Sequence, residues 1–246
     1  MGSRANGAGS GYRSSGRGSV DAGMVLRFVA FSLLSPVMMF LSSGDWGWGW
    51  GWALSITVVV LNLASRAIVW QRNPSLLLER GERGVTGEDA KPWDRVMAPI
   101  VGLIGPVVIW VTAGLDHRSG WSGDVADAVQ VLALVLVGLT YVMGTWAMVV
   151  NPFLSGVVRI QTERGHSAVD TGPYRYVRHP SYLAMLVCYV AVPLALSSLW
   201  ALVPAALTAG VLIARTALED RALVAELKGY RRYTERVRYR LVPGVW

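Results

Sequence analysis

The sequence predicts an all-α fold: a multi-pass integral membrane helical bundle of about six spans, with a C-terminal helical hairpin and both ends cytoplasmic. Three observations predict it. Hydrophobic residues form 53% of the 246 and charged residues only 16%, and the apolar residues fall in long blocks rather than at amphipathic spacing. Eleven tryptophans suit a chain that meets bilayer interfaces, where indole rings are favoured. The basic residues are lopsided. Six spans put twenty Lys and Arg on one side and Arg118 alone on the other, with Arg27 and Arg66 inside spans. By the positive-inside rule the rich side is cytoplasmic.

Residues 1–23 are rich in Gly, Ser and Arg, cannot bury enough surface to offset their ordering entropy, and read as a disordered tail. The long polar lead and the lack of a small-x-small pattern argue against a signal peptide. Residues 24–150 form a four-span region, with spans expected at 24–41, 52–70, 96–115 and 125–150. The stretch SSGDWGWGWG at 42–51 reads as an interfacial loop carrying Trp46, Trp48 and Trp50, because its alternate glycines oppose a strand. In the polar stretch 71–95, Pro74 starts a short helix and Leu76 to Leu78 are expected on the membrane surface. Pro99 and Pro106 predict a kink in the third span. Arg66, near the end of the second span, is expected to snorkel to the surface.

Residues 151–246 are set apart as the region that carries chemistry. A polar segment, 151–181, precedes an apolar run, 182–216, that is too long for one span and short for two. A tight hairpin broken at Ser197 and Ser198 resolves this, followed by an amphipathic extension over 218–228 and a basic, aromatic tail. The net charge of +7 raises nucleic acid as a partner. The basic residues lie at the edges of apolar blocks, however, which points to topology and to anionic lipid headgroups instead. Cys188 is alone and sits in an apolar block, so it forms no internal disulfide. With three histidines beside that one cysteine, a zinc-type metal site is not expected.

Within that region GPYRYVRHPSY, residues 172–182, is polar, aromatic and basic between two apolar runs. Pro180 suits the first turn of a helix, with His179 at its cap and free N–H groups that favour an anion. Tyr174, Tyr176 and Tyr182 offer aromatic faces that attract sulfonium or ammonium groups. Further on, Arg215 and Glu219 share one helix face, four residues apart, where an apolar run meets the cytoplasmic side. They read either as a surface ion pair or as functional groups. Asp220 points about 100° away and is expected to be solvated. Gln161 and His166 have no evident partner.

The order VVRIQTERGH, GPYRYVRHPSY, the Glu219-Asp220 pair, Leu223, and Tyr230 with Tyr233 before YRLVPGVW resembles the isoprenylcysteine carboxyl methyltransferase (ICMT) family and its bacterial relatives. It is similar, more distantly, to membrane phospholipid N-methyltransferases. The resemblance implies S-adenosyl-L-methionine as cofactor, in a fold unrelated to the soluble Rossmann enzymes. That agrees with the lack of a strand followed by G-x-G-x-x-G. It places cofactor contacts on Gln161, on His166, Ser167, Ala168 and Val169, on Tyr174, on His179, Pro180, Ser181 and Tyr182, and on Glu219. It gives Arg215 the substrate and, with Glu219, the catalytic role. Ala184 stands where members often have Gly.

The implied reaction is methyl transfer to a carboxyl group of a lipophilic, isoprenoid-like acceptor entering from the bilayer. The Arg- and Gly-rich composition fits a high-GC bacterium, and so a bacterial cytoplasmic membrane. Two other enzymes share parts of the pattern. One is a phospholipid or small-amine N-methyltransferase. The other is an NADPH-dependent membrane reductase, whose 2′-phosphate the basic tail at 231–240 would bind. A non-catalytic membrane protein is the third alternative.

Overall fold

A computed structural model of the chain describes residues 22–83 and 89–246. The expected disordered tail lies outside the described residues apart from Ala22 and Gly23. Every regular element among the described residues is helical. In chain order these are α1 (Ala22–Ser43), α2 (Gly49–Arg72), α3 (Pro74–Arg83), α4 (Asp94–Pro99), a π-helical turn (Ile100–Ile104), α5 (Gly105–Ser119), α6 (Asp127–Val150), α7 (Pro180–Ala195), α8 (Leu202–Glu226) and α9 (Tyr230–Arg236). Among the described residues, five stretches are long and apolar enough to cross a membrane: 25–43, 49–72, 94–119, 127–150 and 202–226. Helix α7 is apolar but only 16 residues long, about 24 Å against a hydrocarbon core of about 30 Å. The α7–α8 pair is the expected hairpin, turning at 196–201 with Ser197 at φ 55°.

The apolar core is built by α1 on α5, α6 on α7, α2 on α6 and α7 on α8. The α1–α5 contact depends on Gly114. A Cβ there would stand 2.1 Å from Ser42 Oγ and 2.5 Å from the Met39 carbonyl oxygen. The kink expected at Pro99 and Pro106 is a π turn that leaves the span continuous from 94 to 119. The Gly105 N–H bonds the Ile100 carbonyl, five residues back. The same register would pair the Val101 carbonyl with Pro106, which has no N–H. The Tyr189 hydroxyl of α7 donates to that carbonyl instead. This is the rescue that a freed backbone group needs away from water.

Two expectations need correction. Leu76 and Leu77 do not lie on the membrane surface. They are buried against Val69, Met148 and Leu154, because α3 folds back onto the ends of α2 and α6. The Asn73 side chain holds that corner by donating to the Met148 carbonyl at 2.9 Å. Trp48 is buried rather than interfacial, stacked on His117 with ring centroids 4.0 Å apart. Arg66 is half-buried, with its guanidinium 4.8 Å over the Phe28 ring of α1.

At the end away from α3, Asp116 ties the hairpin turn to the α5–α6 loop. It is buried and accepts from the Ser122 N–H at 2.7 Å, the Ser122 hydroxyl at 2.5 Å and the Ser198 hydroxyl at 2.5 Å. Fully partnered buried charge of this kind fixes register. It sets how α7 and α8 lie side by side, and therefore what meets at their other end.

Candidate active site

A cleft opens where the 151–169 segment, the start of α7, the last turns of α8 and α9 converge. One wall begins in the tight 3₁₀ turn Gly172–Arg175. Gly172 has φ 56°, and a Cβ there would meet Val150 at 3.0 Å and Trp146 at 3.1 Å. Only glycine fits both constraints. The turn buries Tyr174, whose hydroxyl has no hydrogen-bond partner; Asn151 is a neighbour but not in bonding geometry. Burial pushes the Tyr174 phenol well above its ordinary pKa.

Pro180 is the first residue of α7 with His179 at the cap, as the sequence predicts. The cap is less open to anions than expected. The His179 N–H donates to the Arg240 carbonyl at 2.9 Å, and the Tyr182 N–H turns back to the His179 carbonyl at 3.1 Å. The His179 and Tyr182 rings are stacked, 5.6 Å apart and within 5° of parallel.

The opposite wall is α8. Arg215 and Glu219 share a face, yet the link between them is indirect. The Tyr182 hydroxyl donates to Glu219 Oε2 at 2.6 Å and accepts from Arg215 Nη1 at 2.7 Å. Arg215 is 4% exposed and its guanidinium is gripped from behind. Nε and Nη2 donate to Asp94 Oδ1 and Oδ2 at 2.6 and 3.0 Å, and Nη2 also reaches the Gly156 carbonyl at 3.1 Å. Asp94 in turn accepts the Val158 N–H at 2.6 Å. It therefore pins the 151–169 segment to α8.

The expectation that Asp220 is solvated is wrong. It is 2% exposed. Arg178 Nη1 and Arg240 Nε each donate to Oδ2 at 2.8 Å, the Tyr230 hydroxyl donates to Oδ1 at 3.1 Å, and His179 Nε2 lies 3.4 Å from Oδ1. The 100° turn that takes it off the Glu219 face points it at the C-terminal segment. That segment packs behind α7, with the Arg178 N–H on the Tyr239 carbonyl at 2.9 Å.

His166, Ser167, Ala168, Val169, Tyr174, His179, Ser181, Tyr182 and Glu219 all line the cleft. Gln161, Pro180 and Arg215 are not on its wall. Gln161 is fully buried and braces the loop from within, donating to the Phe153 carbonyl at 2.8 Å and accepting from Arg164 at 2.5 Å. His166 is half-buried, stacked on Phe153 at 4.6 Å, with Nδ1 accepting the Gln161 N–H at 3.3 Å. Burial, helped by Arg159 and Arg164, pushes its pKa down to about 4, so it is neutral at pH 7. Sequence reasoning missed Asp94 and the Asn151–Arg159 part of the wall. The signal for Asp94 was a carboxylate at the start of an apolar run, in a chain with a cation buried at the same level.

Apolar helices long enough to cross a membrane, with a polar cleft at one end of the bundle, point to an integral membrane protein whose regular elements are helical among the described residues. Residues 131–225 match the isoprenylcysteine carboxyl methyltransferase (ICMT) family. The match covers less than half of the chain but takes in most of α6, all of α7 and every sequence-predicted site residue. The chain is thus a relative of that family, and the match points to a membrane methyltransferase. A search of curated proteins found no match.

Proposed function

We propose that the protein is an integral membrane S-adenosylmethionine-dependent methyltransferase that O-methylates a carboxyl group of a lipophilic, isoprenoid-like acceptor. One observation carries the reading. Three separate stretches of sequence, 166–169, 174–182 and the Glu219 turn of α8, line a single cleft inside the region that matches the family.

The cleft suits the cofactor chemically. Glu219 presents a carboxylate to amino or hydroxyl donors, and the Tyr182 hydroxyl fixes its direction. The buried Tyr174 hydroxyl is unpaired and so available to a ligand. Tyr174, His179 and Tyr182 offer aromatic faces to a cation, and His166, held neutral, adds no repelling charge. Bound there, S-adenosylmethionine supplies a methyl group activated on a sulfonium sulfur.

An acceptor carboxylate is ionised at neutral pH, so the chain need not supply a strong base. Its work is orientation. Arg215 has one Nη1 hydrogen not engaged by Asp94, Tyr182 or Gly156. It is fixed in place to donate that hydrogen to the acceptor. Both ends of the chain face the cytoplasm in this reading, the basic surface meets anionic headgroups, and the acceptor arrives sideways from the bilayer, a bacterial cytoplasmic membrane.

The test is to incubate purified protein and lipid extracts with methyl-labelled cofactor, then analyse the lipids by mass spectrometry. Label in an alkali-labile ester of a lipophilic acid supports the proposal; label only in alkali-stable N-methyl groups contradicts it.

A further inference from the structure

Most guanidinium groups around the cleft already have an anion. Arg215 has Asp94, Arg159 has Glu79 and Glu163, and Arg178 and Arg240 share Asp220. Arg80, on α3, differs. It makes no ion pair among the described residues. Nε donates to the Leu154 carbonyl at 2.8 Å, while Nη2 lies 3.5 Å from the Ser155 carbonyl and Nη1 3.7 Å from Met148 Sδ. Its sequence neighbour Glu79 is taken up by Ser155 and Arg159. Leu154 and Ser155 line the cleft and their carbonyls hold the Arg80 guanidinium, which is not itself on the wall but stands directly behind it. Burial pushes its pKa down, and its field reaches the Tyr174 and Tyr182 hydroxyls. A half-buried cation whose hydrogen-bond partners are all neutral, with Glu79 acting on it only through space, is still stabilised by an anion that joins it.

The Tyr174 hydroxyl gives a second, independent observation. It belongs to a cleft-lining residue 5% exposed and has no hydrogen-bond partner. A buried donor left unmade is normally satisfied by something, and a ligand entering the cleft can do so.

We infer that Arg80 and Tyr174 form a carboxylate-binding subsite on the α3 side of the cleft. The ligand assignment rests on the methyltransferase reading. That reaction brings two carboxylates, the amino-acid carboxylate of the cofactor and the acid of the acceptor, and the subsite's chemistry serves either.

The experiment measures binding to full-length protein in nanodiscs by calorimetry. S-adenosylhomocysteine is compared with methylthioadenosine, which lacks the amino-acid part. A farnesylated cysteine with a free carboxylate is compared with its carboxamide. Tyr174→Phe removes only an unpaired hydroxyl and leaves the melting temperature unchanged. Arg80→Gln keeps a donor for Leu154 and is checked in the same way. Each variant weakens one carboxylate ligand by about ten- to a hundredfold and spares its counterpart without the carboxylate. Loss confined to S-adenosylhomocysteine assigns the subsite to the cofactor; loss confined to the farnesylated acid assigns it to the acceptor. If the wild type binds these ligands and both variants keep every preference, the subsite is refuted while the methyltransferase reading stands. A wild type that binds neither the nucleosides nor the farnesylated acid refutes both.

Discussion

Arg215 and Asp94, 121 residues apart, share two hydrogen bonds of 2.6 and 3.0 Å inside the bundle, with both side chains almost wholly buried. This fork joins α8 to the start of the third span. Through the Val158 N–H it also reaches the loop that walls the cleft. Arg215 is therefore a group whose direction is set before any ligand arrives.

Breaking this fork from either side has an asymmetric cost. Asp94→Asn leaves a buried guanidinium without its counter-charge, an error of about 3–5 kcal/mol. Its unfolding midpoint in detergent falls well below wild type. The double variant Asp94→Asn with Arg215→Gln recovers much of the loss in stability but none of the turnover. Equal stability of the single and double variants would show that the pair is not coupled.

Tyr182 tests the relay more gently. Tyr182→Phe keeps the ring stacked on His179 but removes the hydroxyl that joins Glu219 to Arg215. Two charge-assisted bonds go, each about 1.5–3 kcal/mol. The expected result is a fall in kcat of roughly ten- to a thousandfold, with a melting temperature lowered by about 6–20 °C. Unchanged kcat would remove Tyr182 from the reaction.

His166 gives a pH signature. Its folded pKa, about 4, lies below the ordinary value of about 6.5. Between these values the unfolded chain binds the extra proton, so stability rises with pH in that window. The contribution is fully present above about pH 6.5 and is lost as pH falls towards 4. The ring is only half-buried, so solvent screening holds it to about 1–2 kcal/mol. Melting curves of wild type and His166→Gln at pH 7 and pH 5 should show the variant losing less stability on acidification. An NMR titration placing His166 near 6.5 would contradict the geometry.

Gly114 tests the packing of the N-terminal region. Gly114→Ala drives a methyl into Ser42 Oγ and the Met39 carbonyl. Overpacking of this kind costs about 1–3 kcal/mol, and it should lower the melting temperature while leaving cofactor affinity unchanged. Loss of affinity without loss of stability would mean that α1 and α5 bear on the cleft directly.

The helices were legible because apolar blocks, Pro180 and the Ser197–Ser198 break are local signals. The shared face of Arg215 and Glu219 was legible from spacing alone. Tyr182 as the bridge between them was not, because it comes from another helix. Asp94 and Asp220 were hidden for the same reason: their partners lie 121 and up to 42 residues away, and periodicity says which way a side chain points but not what meets it. The inward turn of Leu76 and Leu77 likewise needed the α2–α3 corner, which a polar stretch does not announce.

The central claim is that this cleft holds S-adenosylmethionine against Glu219. Its most direct test is the thermal stabilisation of purified protein by S-adenosylhomocysteine and by NADPH, repeated with Glu219→Gln. S-adenosylhomocysteine should raise the melting temperature of the wild type, NADPH should not, and Glu219→Gln should lose most of the rise. Stabilisation by NADPH alone would contradict it.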